Sequence, residues 1–488
     1  MVRTAYRHDV RDRDEQRVRA NAWVMLALLC TVQWTDVLGT TIMIVALPSI
    51  QGDLGLSGAS VELAAGIYAL TFGGSIIVTG RLSDIFGARR LLLSGLAMFS
   101  LASLLCGVAV SPAMLIVARA LQGLGAALAT PAALTMVTDL FPDGPLRHRA
   151  LGVWTAAAAG GGAAGFALGG AITDVLGWRW IFLLNVPLGL LALAILPRLI
   201  GDRWASGVRT GLNVVGAVVL IAGLVALLAG VTGSKDHGLS SWPVVLILLA
   251  GVALLAAFVI TERQSKSPLI PADLSRSPAL AGSSAVAFAL TATTSSAGVL
   301  IALYMQSVLG LSPASAGVML APSSLAVVFG SLAGARLTVR FGFRASMALG
   351  LAGVAAGMLA NVGGVAMASL PLLVSGLVVS GAALGCASVA STAGGLSTIE
   401  ENRKGVASGV LNATANIGTA LGIALIPALG AVWIGASSLA GTDAPASTLT
   451  GGFQAAFVVA AVVAVAAIPL AWFSFPGRVG ALATRRAP

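Results

Sequence analysis

RLSDIFGARR (residues 81–90) returns 255 positions later as RLTVRFGFRA (336–345). Arg81/Arg336, Leu82/Leu337, Ser83/Thr338, Phe86/Phe341, Gly87/Gly342 and Arg89/Arg344 line up. A polar loop repeated at that distance predicts two halves in parallel orientation, related by an axis along a membrane normal. The surroundings of each copy support a membrane setting. Apolar residues make up 57% of the chain, charged residues 9%, and mean hydropathy is +0.96. Soluble domains carry about 25% charged residues.

Apolar stretches of about 20 residues, each long enough to cross a bilayer, occur near 23–48, 60–79, 91–110, 112–137, 150–173, 179–197, 211–232, 242–261, 279–305, 313–335, 345–364, 369–396, 405–434 and 452–474. The expected fold is an all-α polytopic membrane protein of 14 transmembrane helices. Two six-helix bundles (23–199 and 279–474) flank a two-helix insertion with polar, Pro-bearing flanks (200–278). Short tails, 1–22 and 475–488, complete the chain.

The net charge of +10 is explained by its distribution. With the N-terminus inside, 25 of the 28 Lys and Arg fall on inner segments, two (Arg179 and Lys235) on outer loops, and Arg119 within a span. That asymmetry is the positive-inside pattern, so both termini are expected in the cytoplasm and nucleic acid is not an expected partner. The charged residues before Trp23 and the length of the first span argue for a retained anchor rather than a cleaved signal. Arg outnumbers Lys 25 to 3 amid heavy Ala and Gly, which points to a bacterial plasma membrane. Cys30, Cys106 and Cys386 lie in separate spans, without the spacing of a disulfide or metal site. There is no phosphate loop, metal-ligand cluster or nucleophile–base pair, so neither an enzyme nor a cofactor is expected.

VQWTDVLGTT (32–41) carries the one carboxylate far from a membrane surface. An ionised Asp at a helix centre costs about 2.5–3.5 kcal/mol on insertion scales, so intramembrane acids mark ion paths by default. Gln33, Asp36 and Thr40 fall at i, i+3 and i+7, one polar stripe on an apolar helix. Arg119, with Gln122, Gly123 and Thr130 near its face, is the only basic group inside a span. Asp36 is therefore the candidate proton carrier and Arg119 its candidate countercharge; a purely structural Asp36–Arg119 pair is the alternative.

GRLSDIFGARR (80–90) resembles the signature loop of the major facilitator superfamily. TTIMIVALPSI (40–50), WRWIFLLNVPLG (178–189), LYMQSVLGLSPASAGVMLAP (303–322) and GVASGVLNATANIGTALG (405–422) resemble stretches of its 14-helix drug:proton antiporter family. The resemblance implies a conformational latch of Gly80, Asp84, Gly87, Arg89 and Arg90. Asp84 would cap the start of the thirteenth span near Gly405–Ala407; Val339 stands at its place in the second copy. Gly161, Gly165, Gly169 and Gly170 match the family's helix-packing motif, except that Phe166 replaces its Pro. Arg119, Gln122 and Gly123 match its Arg–Gln–Gly pattern. The family's usual acid position holds Gly39 here, one turn beyond Asp36. A cavity between the first, fourth, ninth and thirteenth spans would be lined by Gln33, Thr40, Gln122, Tyr304, Gln306, Asn412 and Asn416.

The resulting expectation is a monomeric secondary transporter, exporting small amphipathic or lipophilic compounds by proton antiport with alternating access. A dedicated or proton-independent exporter of one metabolite is the alternative. A non-transporting receptor or scaffold would need a sizeable soluble domain, which this reading does not find.

Overall fold

In the computed structural model the described residues are 2–141, 144–200, 211, 213–237, 241–265, 267–400, 403–435, 439 and 445–474. The expected C-terminal tail, part of the 435–452 loop and much of the first linker flank lie outside them. So do the side chains of residues 2–21, Asp84, His148 and residues 234–237.

No strand occurs among the described residues. The helices are α1 (Val2–Leu54), α2 (Gly58–Phe86), α3 (Ala88–Gly107), α4 (Pro112–Leu140), α5 (Pro145–Val175), α6 (Arg179–Leu183), α7 (Asn185–Leu199), α8 (Val214–His237), α9 (Trp242–Gln264), α10 (Ala272–Ser275), α11 (Pro278–Ser307), α12 (Pro313–Ala366), α13 (Leu370–Leu396), α14 (Lys404–Trp433), α15 (Ala446–Ala466) and α16 (Ile468–Phe473). Three starts share one local device. Ser111, Ser277 and Ser312 each accept a backbone N–H three residues on, and each precedes a Pro at the first helical position. The serine satisfies an orphan donor, and the proline lacks an N–H that would have gone unpaired.

Among the described residues, thirteen helices are long and apolar enough to cross a membrane. The expected tenth and eleventh spans are two helical arms of α12 that meet at a non-helical kink at Gly342 (φ 83°) without an intervening loop. Gly87 (φ 81°) makes the matching break between α2 and α3. The backbone of α1 begins at Val2, well before its apolar part, Ala22–Leu54. The expected sixth span divides into α6 and α7, and the last into α15 and α16.

In the first half α1 packs on α5, and α4 on both α2 and α3. In the second, α12 packs on α13 and α15, and α11 on α13 and α14. The halves meet along two seams, α5 against α12 and α2 against α14; α8 pairs with α9 and lies over α2 and α14. Below, the end of the bundle holding the α2–α3 turn is the tail end, and the end holding the α11–α12 turn is the distal end.

Candidate functional site

Close helix contact builds a polar cluster inside the first half. A Cβ at Gly123 would come within 2.2 Å of Thr71 Oγ1 and 2.4 Å of the Tyr68 carbonyl, so α4 can approach α2 only without one. The same holds between α3 and α4, where a Cβ at Gly125 would lie 2.6 Å from the Phe99 nitrogen. This draws Tyr68 of α2 and Arg119 of α4 together against α1.

Arg119 is fully buried and does not reach toward an interface. Its Nη1 donates to Gln122 Oε1 at 2.8 Å and to the Gly39 carbonyl at 3.3 Å. Gln122 Nε2 donates to Ser103 Oγ at 2.8 Å, and Ser103 donates to the Phe99 carbonyl at 2.7 Å. The guanidinium carbon stands 4.5 Å from the centroid of the Tyr68 ring and 5.8 Å from that of Phe182. Burying an ion costs several kcal/mol. Charge-assisted hydrogen bonds and a desolvated cation–π contact of about 2 kcal/mol offset much of that. Nε and Nη2 have no partner.

Asp36 is half-buried on α1, and the Tyr68 hydroxyl donates to its Oδ1. No ion pair joins Asp36 to Arg119 among the described residues; the tyrosine holds the carboxylate by its hydroxyl and the guanidinium by its ring. The direct Asp36–Arg119 pair is thus replaced by a three-member arrangement. The reason is one helical turn: the guanidinium lies at Gly39, and Asp36 is a turn toward the tail end. Tyr68 was missed by sequence reasoning. A lone tyrosine in an apolar helix has no periodicity, and its only signal is rarity, one of three Tyr in 488 residues.

The other expected cavity residues separate into three groups. Gln33 is half-buried, and Thr40 donates back to the Asp36 carbonyl at 3.2 Å, so both stay on the Asp36 face of α1. Asn412 and Asn416 occupy the tail-side part of α14, with their amides donated to the Ser408 and Asn412 carbonyls. Gln306 bridges the halves near the distal end, donating to the Val45 carbonyl at 3.1 Å. Gln122 and Tyr304 line no open space. Gln122 is spent between Arg119 and Ser103, whereas Tyr304 is buried, donates to the Val365 carbonyl at 3.1 Å and meets Phe453 edge-on.

The glycine string of α5 serves both halves. A Cβ at Gly161 would lie 2.5 Å from the Trp34 carbonyl, at Gly165 1.9 Å from Thr41 Oγ1, and at Gly169 2.6 Å from Ile42 Cγ1, all on α1. Gly170 faces the other half, where a Cβ would lie 2.3 Å from the Pro313 carbonyl, and a Cβ at Gly317 of α12 would lie 2.2 Å from the Phe166 carbonyl. The α2–α14 seam is also tight from its middle, where a Cβ at Gly73 would sit 2.6 Å from Asn416 Cβ, toward the distal end, where one at Gly66 would sit 3.2 Å from the Ala420 carbonyl. Toward the tail end it opens: Cβ atoms at Gly80, Gly405 and Gly409 would meet nothing within 4 Å.

The segment after α9 lies beside that opening. Arg81 donates to the Pro268 carbonyl at 3.1 Å, Leu269 packs with Val78, and Leu274 packs with Ala407 and Leu411 of α14. Among the expected latch residues, Gly87 makes the α2–α3 turn, Arg89 donates to the Pro197 carbonyl at 3.2 Å, and Arg90 is exposed. The Asp84 side chain lies outside the described residues. No group of three or more potential metal ligands occurs among the described residues.

The bundle resembles a bacterial homolog of the human lysosomal transporter Spinster, solved in an inward-facing and unoccupied conformation. The TM-score is 0.68 at 17% identity, covering 93% of this chain and 97% of that one. The cephamycin export protein CmcT of Amycolatopsis lactamdurans is 38% identical over 83% of this chain and 85% of its own. The puromycin resistance protein pur8 of Streptomyces alboniger is 34% identical over 93% and 92%. The family model described as Major Facilitator Superfamily matches residues 29–206 and 283–487. Repeated glycine turns, paired halves and these matches agree, and the chain belongs to the Major Facilitator Superfamily.

Proposed function

We propose that this protein exports small amphipathic or lipophilic compounds across a bacterial plasma membrane in exchange for protons. The single observation that carries the coupling is Asp36, an acid retained inside an apolar bundle and held there by a neighbouring donor. A carboxylate kept in such a place at a cost of a few kcal/mol suits a group that alternates between charged and neutral forms. Relatives named for cephamycin export and puromycin resistance support export of antibiotic-like molecules.

The working unit is a monomer with both termini in the cytoplasm, as the Lys and Arg distribution requires. The two arms of α12 on either side of Gly342 would cross the membrane separately, giving fourteen crossings in a six, two, six arrangement. The gap in the family match between residues 206 and 283 supports reading α8 and α9 as the insertion. With the tail end cytoplasmic, the α2–α14 seam is closed toward the outside and open toward the inside, which supports an inward-facing arrangement. Proton and substrate would use the Asp36 face of α1 and the asparagine face of α14. Asp84 would engage the start of α14 when the tail end closes, where a carboxylate meets the positive helix end.

A second reading, a dedicated exporter of one endogenous compound, is favoured by relatives each named for a single antibiotic. Uptake into everted vesicles under an imposed proton gradient, against puromycin, a cephamycin, lipophilic cations and neutral lipids, tests both. Proton-driven uptake of several classes supports the first, and uptake of one compound supports the second. Flux indifferent to the gradient would contradict proton coupling.

A further inference from the structure

The geometry points to Tyr68 as the positioning residue that stands in for a direct ion pair, linking the Asp36 carboxylate to the Arg119 guanidinium. The inference deepens the proton-coupling reading above and rests on it. Three observations carry it. The Tyr68 side chain is buried and its hydroxyl donates to Asp36 Oδ1. Its ring face meets Arg119 at 4.5 Å. Arg119 spends its hydrogen bonds on Gly39 and Gln122, leaving two nitrogens open.

The chemistry follows from where the acid sits. A carboxylate at position 39 would lie against the guanidinium, whose Nη1 already reaches the Gly39 carbonyl. At position 36 it is about one turn away, about 4.5 Å along the axis, and a phenol fills the interval. A hydroxyl donated to the carboxylate favours its charged form, and a cation over the ring makes that hydroxyl a better donor. The ring also keeps carboxylate and guanidinium apart. Proton binding at Asp36 releases the hydroxyl, so Tyr68 can pass the protonation state to Arg119 and thence to Gln122 and α3.

The other elements around α1 bring little competing charge. Besides Tyr68, α2 carries Glu62 far toward the distal end. Its last turns carry Arg81 and Asp84. Cys106 of α3 is buried in the same half. The charged residues of α5 lie near its ends, at Arg147, Arg149 and Asp174; those of α6 and α7 are Arg179 and Arg198, and α11 has none. Those of α12, Arg336, Arg340 and Arg344, flank Gly342.

Purified full-length protein titrated by infrared difference spectroscopy reads the carboxyl directly, without any substrate. The band absent in Asp36→Asn is assigned to Asp36. Tyr68→Phe keeps the ring on Arg119 and removes only the hydroxyl. It is expected to move the titration midpoint of that band alkaline by about one pH unit. Arg119→Gln should move the same midpoint in the same direction, and by less in the Tyr68→Phe background than in wild type. Thermal unfolding run alongside confirms that the variants fold. If Asp36→Asn removes no titrating band, the proton-site reading fails. If it does, but Tyr68→Phe titrates at the wild-type midpoint, the inference about Tyr68 alone is overturned. Additive shifts from Tyr68→Phe and Arg119→Gln would likewise deny that the tyrosine links the two groups.

Discussion

Gly87 and Gly342 take nearly the same backbone, φ 81° and 83°, at matching places in the repeated loop. Their neighbourhoods differ. In the first copy Gly87 is buried, Arg81 reaches Pro268 and Arg89 reaches Pro197. In the second copy Val339 is 89% exposed, Arg340 and Phe341 are also exposed, and Arg344 lies 5.9 Å from the Trp472 ring. The interiors differ in the same sense. The first half buries Arg119 against Tyr68 and Gln122, whereas the buried polar groups of the second half are neutral, among them Thr293, Ser296, Asn361 and Ser391. A shared backbone turn therefore does not bring shared chemistry. The left-handed glycine belongs to the architecture of both halves, and the charge belongs to one.

The largest expected effect comes from the seam between the halves. At Gly170 an added side chain meets the Pro313 backbone, which cannot swing aside. Gly170→Leu should leave membrane insertion intact yet force the distal ends apart, cutting transport by more than about a hundredfold, since backbone overlap of this kind costs about 3 kcal/mol. Increased cysteine labelling at position 306 alongside the transport assay checks it. Next is a paired test of the two interiors. Arg119→Gln should lower proton-driven flux by about two orders of magnitude, the cost of leaving an intramembrane polar group unmatched. Asn361→Leu, at a buried amide whose Oδ1 and Nδ2 have no partner, should keep near wild-type flux and unfold within a few degrees of wild type. Equal losses would erase the contrast between the halves.

A relocation sharpens it further. Asp36→Asn combined with Gly39→Asp returns the acid to a position where a Cβ meets only Phe99, at 4.0 Å. It should restore flux to within about tenfold of wild type, because the carboxylate then pairs with Arg119 directly. The restored flux should be insensitive to Tyr68→Phe. The smallest effect is at the turns. Gly87→Ala and Gly342→Ala should each cost about 1–3 kcal/mol for a non-glycine residue held at positive φ, giving similar drops in unfolding temperature. A much larger loss at Gly87 would mean that its buried setting contributes more than its backbone.

Much of this organisation was legible in the chain. The loop repeat announced the halves, and the cost of burial singled out Asp36 and Arg119. What escaped had no local signature. The kink at Gly342 joins the two spans without a loop, and hydropathy alone cannot show how they connect. Gln122 and Tyr304 read as cavity residues because their polarity is visible in sequence, whereas their partners, Ser103 and the Val365 carbonyl, lie 19 and 61 residues away. The seams depend on glycines whose partners sit on the other half, and in a chain with 60 glycines the few that matter do not stand out.

Proton movement during export tests the central claim most directly. Wild type and Asp36→Asn, reconstituted in liposomes with a lumenal pH dye, are followed while the compound that wild type exports fastest is transported. The account predicts proton flow opposite to substrate in wild type, and no substrate-linked proton flow in Asp36→Asn although the variant folds and inserts. Equal substrate-linked proton flow in the two would show that Asp36 is structural and that coupling resides elsewhere.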